Sequence, residues 1–404
     1  MYHIAIPSFQ RYDCVTLSLL SELMERVTVF VADEDEYTKY REKHPDVNIV
    51  VGVKGIGKQR NFITNYYNND DIIVSMDDDI QKFLCQDRPV KTMLDFCVNY
   101  LSTSKLGMMG FPPTSNEFYN KRDSAFTEGR YLAVGVFHIY KNDKTLQLSV
   151  EHCEDYERSC QYINKYGEII RCWDVCYKHK PLAKGGLTEF RADPDNQIIT
   201  TNKLLYTHPE ILDYKYRKNS ELPQLRIGAK RERPKVIQLP YTDIFNQLLS
   251  LMDLAKLRSY RDVSDPNVDK SSGGNRLGFP SYKGGIFGKV RERIGGAIKL
   301  EGALCRDNPV LWAEIKRIGE QVCPFPFTSV QVNRDLICPP HKDRSNVGDS
   351  MLVSFGDYEG CNIMIDGKEY DARKNPLVFN GSMYEHYNTP KLSGTKYSLV
   401  YFSM

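Results

Sequence analysis

The 404-residue chain predicts an α/β domain on a mostly parallel sheet, followed by a C-terminal all-β domain of the double-stranded β-helix (jelly-roll) type. Two observations carry this. In residues 1–180, short Val- and Ile-rich runs alternate with helical patterns of roughly 10–15 residues, the signature of parallel strands joined by crossover helices. In the C-terminal third, apolar runs of period two recur between turn signals, as in double-sheet jelly rolls.

Composition agrees with a globular chain of two or three domains. Hydrophobic residues make up 41% and charged residues 26%, ordinary values for a soluble protein. The formal net charge is only +2, so affinity for an anionic polymer has to come from a local patch. No apolar run approaches the roughly 20 residues of a membrane span. Met1–Pro7 reads as a strand and lacks the basic and apolar regions of a signal peptide. The eleven cysteines include no C-x-x-C pair, which fits reduced thiols in the cytoplasm.

The elements follow in order. Tyr2–Ser8 is a short apolar strand. Tyr12–Met24 reads as a helix with Val15, Leu19, Leu20 and Met24 on one face. Arg26–Ala32 is a strand, Glu34–Lys43 a charged helix, Val47–Val53 a strand, Lys58–Tyr67 a helix and Asp71–Met76 a strand. Ligands of such sheets bind beyond the carboxyl ends of the strands. One strand end carries Met76-Asp77-Asp78-Asp79-Ile80. There Asp77 and Asp79 can share a cation (Mn2+ or Mg2+) that neutralises a leaving nucleotide diphosphate. A solvated acidic loop is the plainer alternative. Glu154-Asp155 opens a later helix, where acids also suit the helix dipole. Lys184-Gly185-Gly186 follows.

Gly52-Val53-Lys54-Gly55-Ile56-Gly57-Lys58 matches the spacing of a phosphate-binding P-loop, but Gln59 stands where a Ser or Thr would hold Mg2+. A P-loop kinase or ATPase is therefore kept as an alternative.

Together, Ile6–Arg11, Val51–Gly57 with Arg60-Asn61, Met76–Ile80 and Glu154-Asp155 make residues 1–210 resemble the TET/JBP-associated glycosyltransferases. The resemblance implies a GT-A-like (Rossmann-type) domain using a sugar nucleotide. Asp77 and Asp79 would hold the cation, Arg60 would contact the cofactor, and Glu154 and Asp155 would supply the base that deprotonates the acceptor.

Residues 211–268 read as a basic linker and helical connector. Tyr214–Lys218, Arg226 and Lys230–Lys235 interleave Tyr with basic residues, either a solvated linker or a phosphate-contacting patch. Tyr241–Asp262 is predicted to be a helix, Ser271–Arg276 a loop, and 309–322 a helix capped by Asn308-Pro309.

In 269–404, His341 and Asp343 flank one residue, so an extended strand points both the same way. His386 can return from a later strand. Two His and one carboxylate form the facial triad of non-haem Fe(II) oxygenases. Gln331–Arg334, Leu352–Gly356, Leu377–Gly381 and Gly394–Val400 supply strands around it. This region resembles the TET/JBP-type 2-oxoglutarate dioxygenases, which hydroxylate the 5-methyl group of pyrimidines in nucleic acid. The resemblance implies Fe(II), 2-oxoglutarate and O2 as cofactors. It places Lys396 on the distal carboxylate of 2-oxoglutarate, where relatives usually have Arg, and Asn333 in the wall of that pocket.

The combined expectation is a bifunctional DNA base-modifying enzyme. It would hydroxylate thymine or 5-methylcytosine and then glycosylate the new hydroxyl, giving a base J-like or glycosylated hydroxymethylcytosine product. Such a fusion suits the cytoplasm of a bacterium or a phage-infected cell. A non-catalytic protein that binds modified DNA is the alternative from another class.

Overall fold

The structure is a computed structural model. It describes residues 1–85, 88–112, 124–179, 194–218, 220, 222–229, 232–240, 243–261, 281–291, 298–343, 345–373 and 375–404. Contacts divide the chain into two units. The first comprises Met1–Thr200, Ile211–Tyr214 and Leu225–Ala229; the second comprises Thr201–Glu210, Lys215–Gln224 and Lys230–Met404. The stretch expected as a connector is thus shared between them. Ser271–Arg276 and Lys184–Gly186 lie outside the described residues.

The first unit alternates strand and helix: β1 (Tyr2–Pro7), β2 (Val27–Val31), α1 (Glu34–Lys43), β3 (Asn48–Val51), α2 (Ile56–Tyr66) and β4 (Ile72–Met76). It continues with β5 (Ile80–Leu84), α3 (Val90–Thr103), β6 (Met108–Gly110), β7 (Phe126–Gly129) and β8 (Phe137–Lys141). The helix Glu154–Tyr166, β9 (Ile169–Cys172) and β10 (Cys176–His179) follow. Eight strands form a mixed sheet in the order β3-β2-β1-β4-β8-β6-β9-β7. β3, β2, β1 and β4 run parallel, while β8 and β7 run against their neighbours. All five residues of β2 and of β4 are buried, as expected of parallel strands covered on both faces. α1 starts where Asp33 accepts a bond from the Glu36 amide at 2.9 Å. Three acids in its first turn and Arg41 and Lys43 in its last complement the helix dipole.

One predicted helix is different. Tyr12–Met24 is replaced by two 3-10 helices, Val15–Leu19 and Ser21–Arg26. The buried residues Leu17, Leu20 and Leu23 recur every third position, which matches three residues per turn rather than 3.6. Cys14 is left-handed at φ 33°. Thr16 bonds the acidic loop instead of an α-helical turn: its amide donates to Asp78 O and its hydroxyl to Asp77 O.

The second unit is built on a seven-stranded sheet. Its order is Val236–Gln238, Leu377–Phe379, Val347–Phe355, Tyr397–Ser403, Ser329–Arg334, Ser281–Gly288 and Arg258–Arg261. Every pairing in it is antiparallel. One face packs on the helix Pro309–Val322, where the Tyr401 hydroxyl donates to Ile315 O at 3.2 Å. Gly319 permits that approach, since a Cβ there would lie 2.4 Å from the Tyr401 ring. On the other face, Leu352, Leu377 and Phe379 form a core with Ile363, Ile365 and Ala372. Ile363–Ile365 is the middle strand of a small sheet, between Lys368–Tyr370 and His386–Asn388.

The predicted helix Tyr241–Asp262 is also corrected. Asp243–Leu248 is a 3-10 helix and Leu249–Leu254 one short α-helix. The chain then extends at Ala255, and Arg258–Arg261 pairs with Ser281–Gly288. Asn308 captures the Lys256 amide at 2.7 Å, and Leu254 is 81% exposed, so the apolar pattern does not mark one buried helix face.

Candidate functional site

In the first unit the chain passes from β1 to one side (β2, β3) and returns on the other as β4. The ends of β1 and β4 therefore flank the switch point, where open α/β sheets bind ligands. The loop after β1 carries Arg11 and the loop after β4 carries Asp77, Asp78 and Asp79. Arg11 Nη1 lies 2.9 Å from Asp78 Oδ1 and 2.8 Å from Asp79 Oδ2. Asp78 also accepts from the Ser8 hydroxyl. Asp79 Oδ1 is buried and accepts no hydrogen bond among the described residues.

Arg60, on α2, joins this loop to the helix Glu154–Tyr166. Its Nη2 lies 2.9 Å from Asp77 Oδ1 and its Nε 3.1 Å from Glu154 Oε1. Its Nη1 donates to the Ser75 hydroxyl at 2.7 Å. The side chain is buried and all three nitrogens are taken, so it organises acids rather than facing solvent. Asp155 accepts from the Gly135 amide at 2.7 Å.

Five carboxylates (Asp77, Asp78, Asp79, Glu154 and Asp155) thus gather around two guanidiniums. Burial pushes Asp77 up to about 7; Arg60 opposes this, and Asp79, Glu154 and Asp78 add to it. Burial, then Glu154, raises Asp155 to about 7. The site is short of positive charge. Asp77 and Asp79, expected to share one cation, instead bond different arginines. Among the described residues, no group of three metal-ligating side chains forms here.

The P-loop look-alike is closed by its own neighbours. Gln59 donates from Nε2 to Val31 O at 3.0 Å and accepts from the Val53 amide at 2.8 Å. Glu151 accepts from the Gly57 amide at 2.9 Å, which places a carboxylate at the helix N-terminus where a phosphate would sit.

In the second unit, one ligand atom each of His341, Asp343 and His386 lies within 4.8 Å of the others. His341 Nε2 is 3.6 Å from Asp343 Oδ1, and His386 Nε2 is 3.5 Å from Asp343 Oδ2. The backbone positions both imidazoles. The His341 amide donates to His386 O at 3.1 Å, and the His386 amide returns a bond to His341 O at 3.0 Å. Each Nδ1 faces a carbonyl two residues back, Pro339 O at 2.8 Å and Tyr384 O at 3.0 Å. Protonation at Nδ1 leaves both Nε2 lone pairs for a metal, the usual arrangement behind a ligating His. Burial pulls His386 down, but Asp343 and the Tyr384 carbonyl outweigh it and hold the imidazole above its ordinary range. Asn346 donates to Asp343 Oδ2 at 3.3 Å. Gly381 approaches the same oxygen, where a Cβ would come within 2.8 Å. The donor set and its orientation fit a divalent first-row metal with open positions.

The sheet face beside this triad is polar further along. Ser354, Ser398, Asn333 and Gly284 stand in register on four adjacent strands. Asn333 Nδ2 donates to Ser398 Oγ at 3.3 Å, and Gln331 Nε2 to Asn333 Oδ1 at 2.7 Å. Lys396 immediately precedes the strand Tyr397–Ser403. It is 5% exposed. Its Nζ donates to Cys361 O at 2.6 Å and lies 3.4 Å from Cys361 Sγ. Among the described residues no carboxylate forms an ion pair with it. Burial holds the ammonium below its ordinary range, against the opposing pull of Cys361. Cys361 and Gly381 had no signal in the sequence, because each acts through a partner distant in the chain.

The basic stretch is partly taken up in exposed ion pairs: Arg226 with Asp213 at 2.5 Å, Arg233 with Asp349 at 3.0 Å and Lys235 with Asp366 at 2.6 Å. Lys230 and Arg231 lie outside the described residues. All eleven cysteines are free. No helix among the described residues is long and apolar enough to cross a membrane.

Residues 2–97 match the family of TET-Associated Glycosyltransferases. No curated protein matches the chain. Among solved structures the chain is similar to NgTET1 in complex with 5mC DNA, at 14% identity over 52% of this chain and 89% of that one, with a TM-score of 0.31. It is similar to an oxidoreductase of the 2OG-Fe(II) oxygenase family from Burkholderia pseudomallei, at 16% identity over 42% and 84%, TM-score 0.28. A third is CMP:2-keto-3-deoxy-manno-octonic acid synthetase complexed with CTP, at 12% identity over 42% and 88%, TM-score 0.27. The resemblance expected of the N-terminal segment is thus found over residues 2–97, and 2OG-Fe(II) oxygenases are among the similar structures.

Proposed function

We propose that the chain is a two-activity modifying enzyme: a GT-A-like glycosyltransferase in the first unit and an Fe(II)/2-oxoglutarate dioxygenase of the double-stranded β-helix type in the second. Its substrate is the 5-methyl group of thymine or 5-methylcytosine in DNA, and a sugar is then added to the resulting hydroxymethyl group. The observation that carries the oxygenase half is the pairing of an oriented His341–Asp343–His386 triad with a buried ammonium, Lys396, that forms no ion pair with a carboxylate among the described residues. A dicarboxylate co-substrate supplies that missing anion.

His341, Asp343 and His386 would hold Fe(II), which supplies O2 activation coupled to decarboxylation of 2-oxoglutarate. Lys396 binds the far carboxylate as a point charge. Asn333, with Gln331 and Ser398, forms a fixed polar wall beside it. A base in duplex DNA has to leave the stack to bring its methyl group to the triad.

For the transferase half, the excess of carboxylates at the switch point, with Asp79 Oδ1 unbonded among the described residues, favours a site completed by a divalent cation (Mn2+ or Mg2+) and its sugar nucleotide. Asp155, held near neutrality, accepts the proton of the acceptor hydroxyl, since a base works best with its pKa near the working pH. Arg60 keeps Asp77 and Glu154 in place around it.

The test is four reactions read by nucleoside mass spectrometry. DNA carrying hydroxymethylpyrimidine should gain sugar from a sugar nucleotide and divalent cation alone. DNA carrying only 5-methylpyrimidine should gain it only when Fe(II), 2-oxoglutarate and O2 are added. Failure to add sugar to hydroxymethylated DNA under any condition would overturn the pathway.

A further inference from the structure

The reading above needs Lys396 as a cation, yet a thiol lies beside its nitrogen. Cys361 is 1% exposed, and its sulfur is 3.4 Å from Lys396 Nζ. The backbone fixes that sulfur from three sides. Cys361 sits at φ 53°, a left-handed conformation that a non-Gly residue keeps only when its surroundings impose it. Its amide donates to Pro390 O at 2.9 Å. Its sulfur faces Leu336 O at 3.8 Å. The ammonium is likewise held in place, by the Cys361 carbonyl at 2.6 Å. Burial shifts Lys396 toward the neutral amine, the form whose lone pair can react, against the opposing pull of Cys361.

We propose that Cys361 and Lys396 form a reversible sulfur–nitrogen crosslink when the protein meets peroxide. The thiol is first oxidised: one oxygen of hydrogen peroxide is transferred to sulfur, the O–O bond breaks, and water leaves, giving a sulfenic acid. Sulfenic acids condense with thiols or with nitrogen. The amine attacks the sulfur, an S–N bond forms, the S–O bond breaks, and the departing hydroxide takes a proton from nitrogen. In sum, thiol, amine and one peroxide give a sulfenamide and two waters. Sulfur loses two electrons and peroxide gains them. Reduction by an added thiol restores both side chains.

The crosslinked nitrogen is no longer a cation. The consequence, which rests on Lys396 being the carboxylate partner of 2-oxoglutarate, is that peroxide closes the co-substrate site without touching the metal ligands.

The experiment treats the full-length chain with hydrogen peroxide at increasing molar ratio, digests it without reductant and weighs the peptides. The expected product is a linked pair containing Cys361 and Lys396, lighter than their sum by two hydrogens, that separates on adding dithiothreitol. Cys361→Ser and Lys396→Arg should each abolish the link. Finding only sulfinic acid at Cys361, only a Cys338–Cys361 disulfide, or no modification overturns the proposal. Calorimetric binding of 2-oxoglutarate then separates the two claims. Binding should weaken by about tenfold or more in the treated protein, ~1.4 kcal/mol, and recover with dithiothreitol, while Cys361→Ser should bind equally before and after treatment. If the link forms and binding is unchanged, the crosslink stands and the assignment of Lys396 to the co-substrate falls.

Discussion

Replacing Asp77 by Asn should remove a loss of stability that the wild-type first unit suffers as pH rises. Burial raises the Asp77 carboxyl to about 7, against roughly 3.9 in an unfolded chain. The native state therefore keeps a proton that the unfolded state releases. Stability from this group is fully present below about pH 4 and is lost as pH climbs through about 7. Three units at 1.36 kcal/mol each give about 4 kcal/mol. The side chain is still 30% exposed, and solvent screening reduces that to roughly 2 kcal/mol. Asn reproduces the protonated shape without the titration. Urea unfolding from pH 4 to pH 8 should show the wild type falling behind Asp77→Asn by about 2 kcal/mol across that range. The constant loss of the Arg60 contact shifts the curves but not their divergence, and Asp155 titrates in both proteins. Mn2+ should recover part of the loss in the wild type only. Parallel curves, or a variant that loses ground as pH rises, would refute the reasoning.

His341→Ala should abolish stoichiometric Fe(II) binding, measured by metal analysis after gel filtration, and with it succinate release from 2-oxoglutarate. Lys396→Ala removes a charge-assisted contact of about 1.5–3 kcal/mol, so the 2-oxoglutarate concentration for half-maximal turnover should rise at least about tenfold; an unchanged value assigns the contact to another residue. Gly381→Ala puts a Cβ 2.8 Å from Asp343 Oδ2 and should weaken Fe(II) affinity while leaving the fold intact by circular dichroism. Asp77→Ala combined with Asp79→Ala should stop sugar transfer and leave hydroxylation running, so that the bare hydroxymethyl base accumulates.

The strand–helix alternation of the first unit was legible because β1 to β4 are nearly continuous apolar runs set between helical patterns. Tyr12–Met24 was misread because Leu17, Leu20 and Leu23 suit three residues per turn nearly as well as 3.6, and only Thr16's bonds to the acidic loop decide. The region after Tyr241 misled for a related reason: a Leu-rich run carries no record of the strand partner, Ser281–Gly288, that ends it. The triad was legible since His341 and Asp343 flank a single residue; His386 comes far later in the chain and is joined to them by its bridge to His341. The acidic loop was legible as residues but not as partners. Arg60 reaches Asp77 from helix α2 and Arg11 reaches Asp79 from the loop after β1, and no local spacing encodes that.

Tyr397–Ser403 lies in the middle of the seven-stranded sheet, bonded to Val347–Phe355 on one side and Ser329–Arg334 on the other. A ribosome makes both flanking strands well before it makes the one that joins them. Until residue 403 is outside the exit tunnel, each half carries an unsatisfied strand edge, the kind of surface that recruits other chains. A stop codon a few residues earlier would therefore not trim the second unit but leave it in two open pieces. Its yield in cells should depend more on chaperone supply during synthesis than that of the first unit, whose parallel core strands β1 to β4 are complete by residue 76.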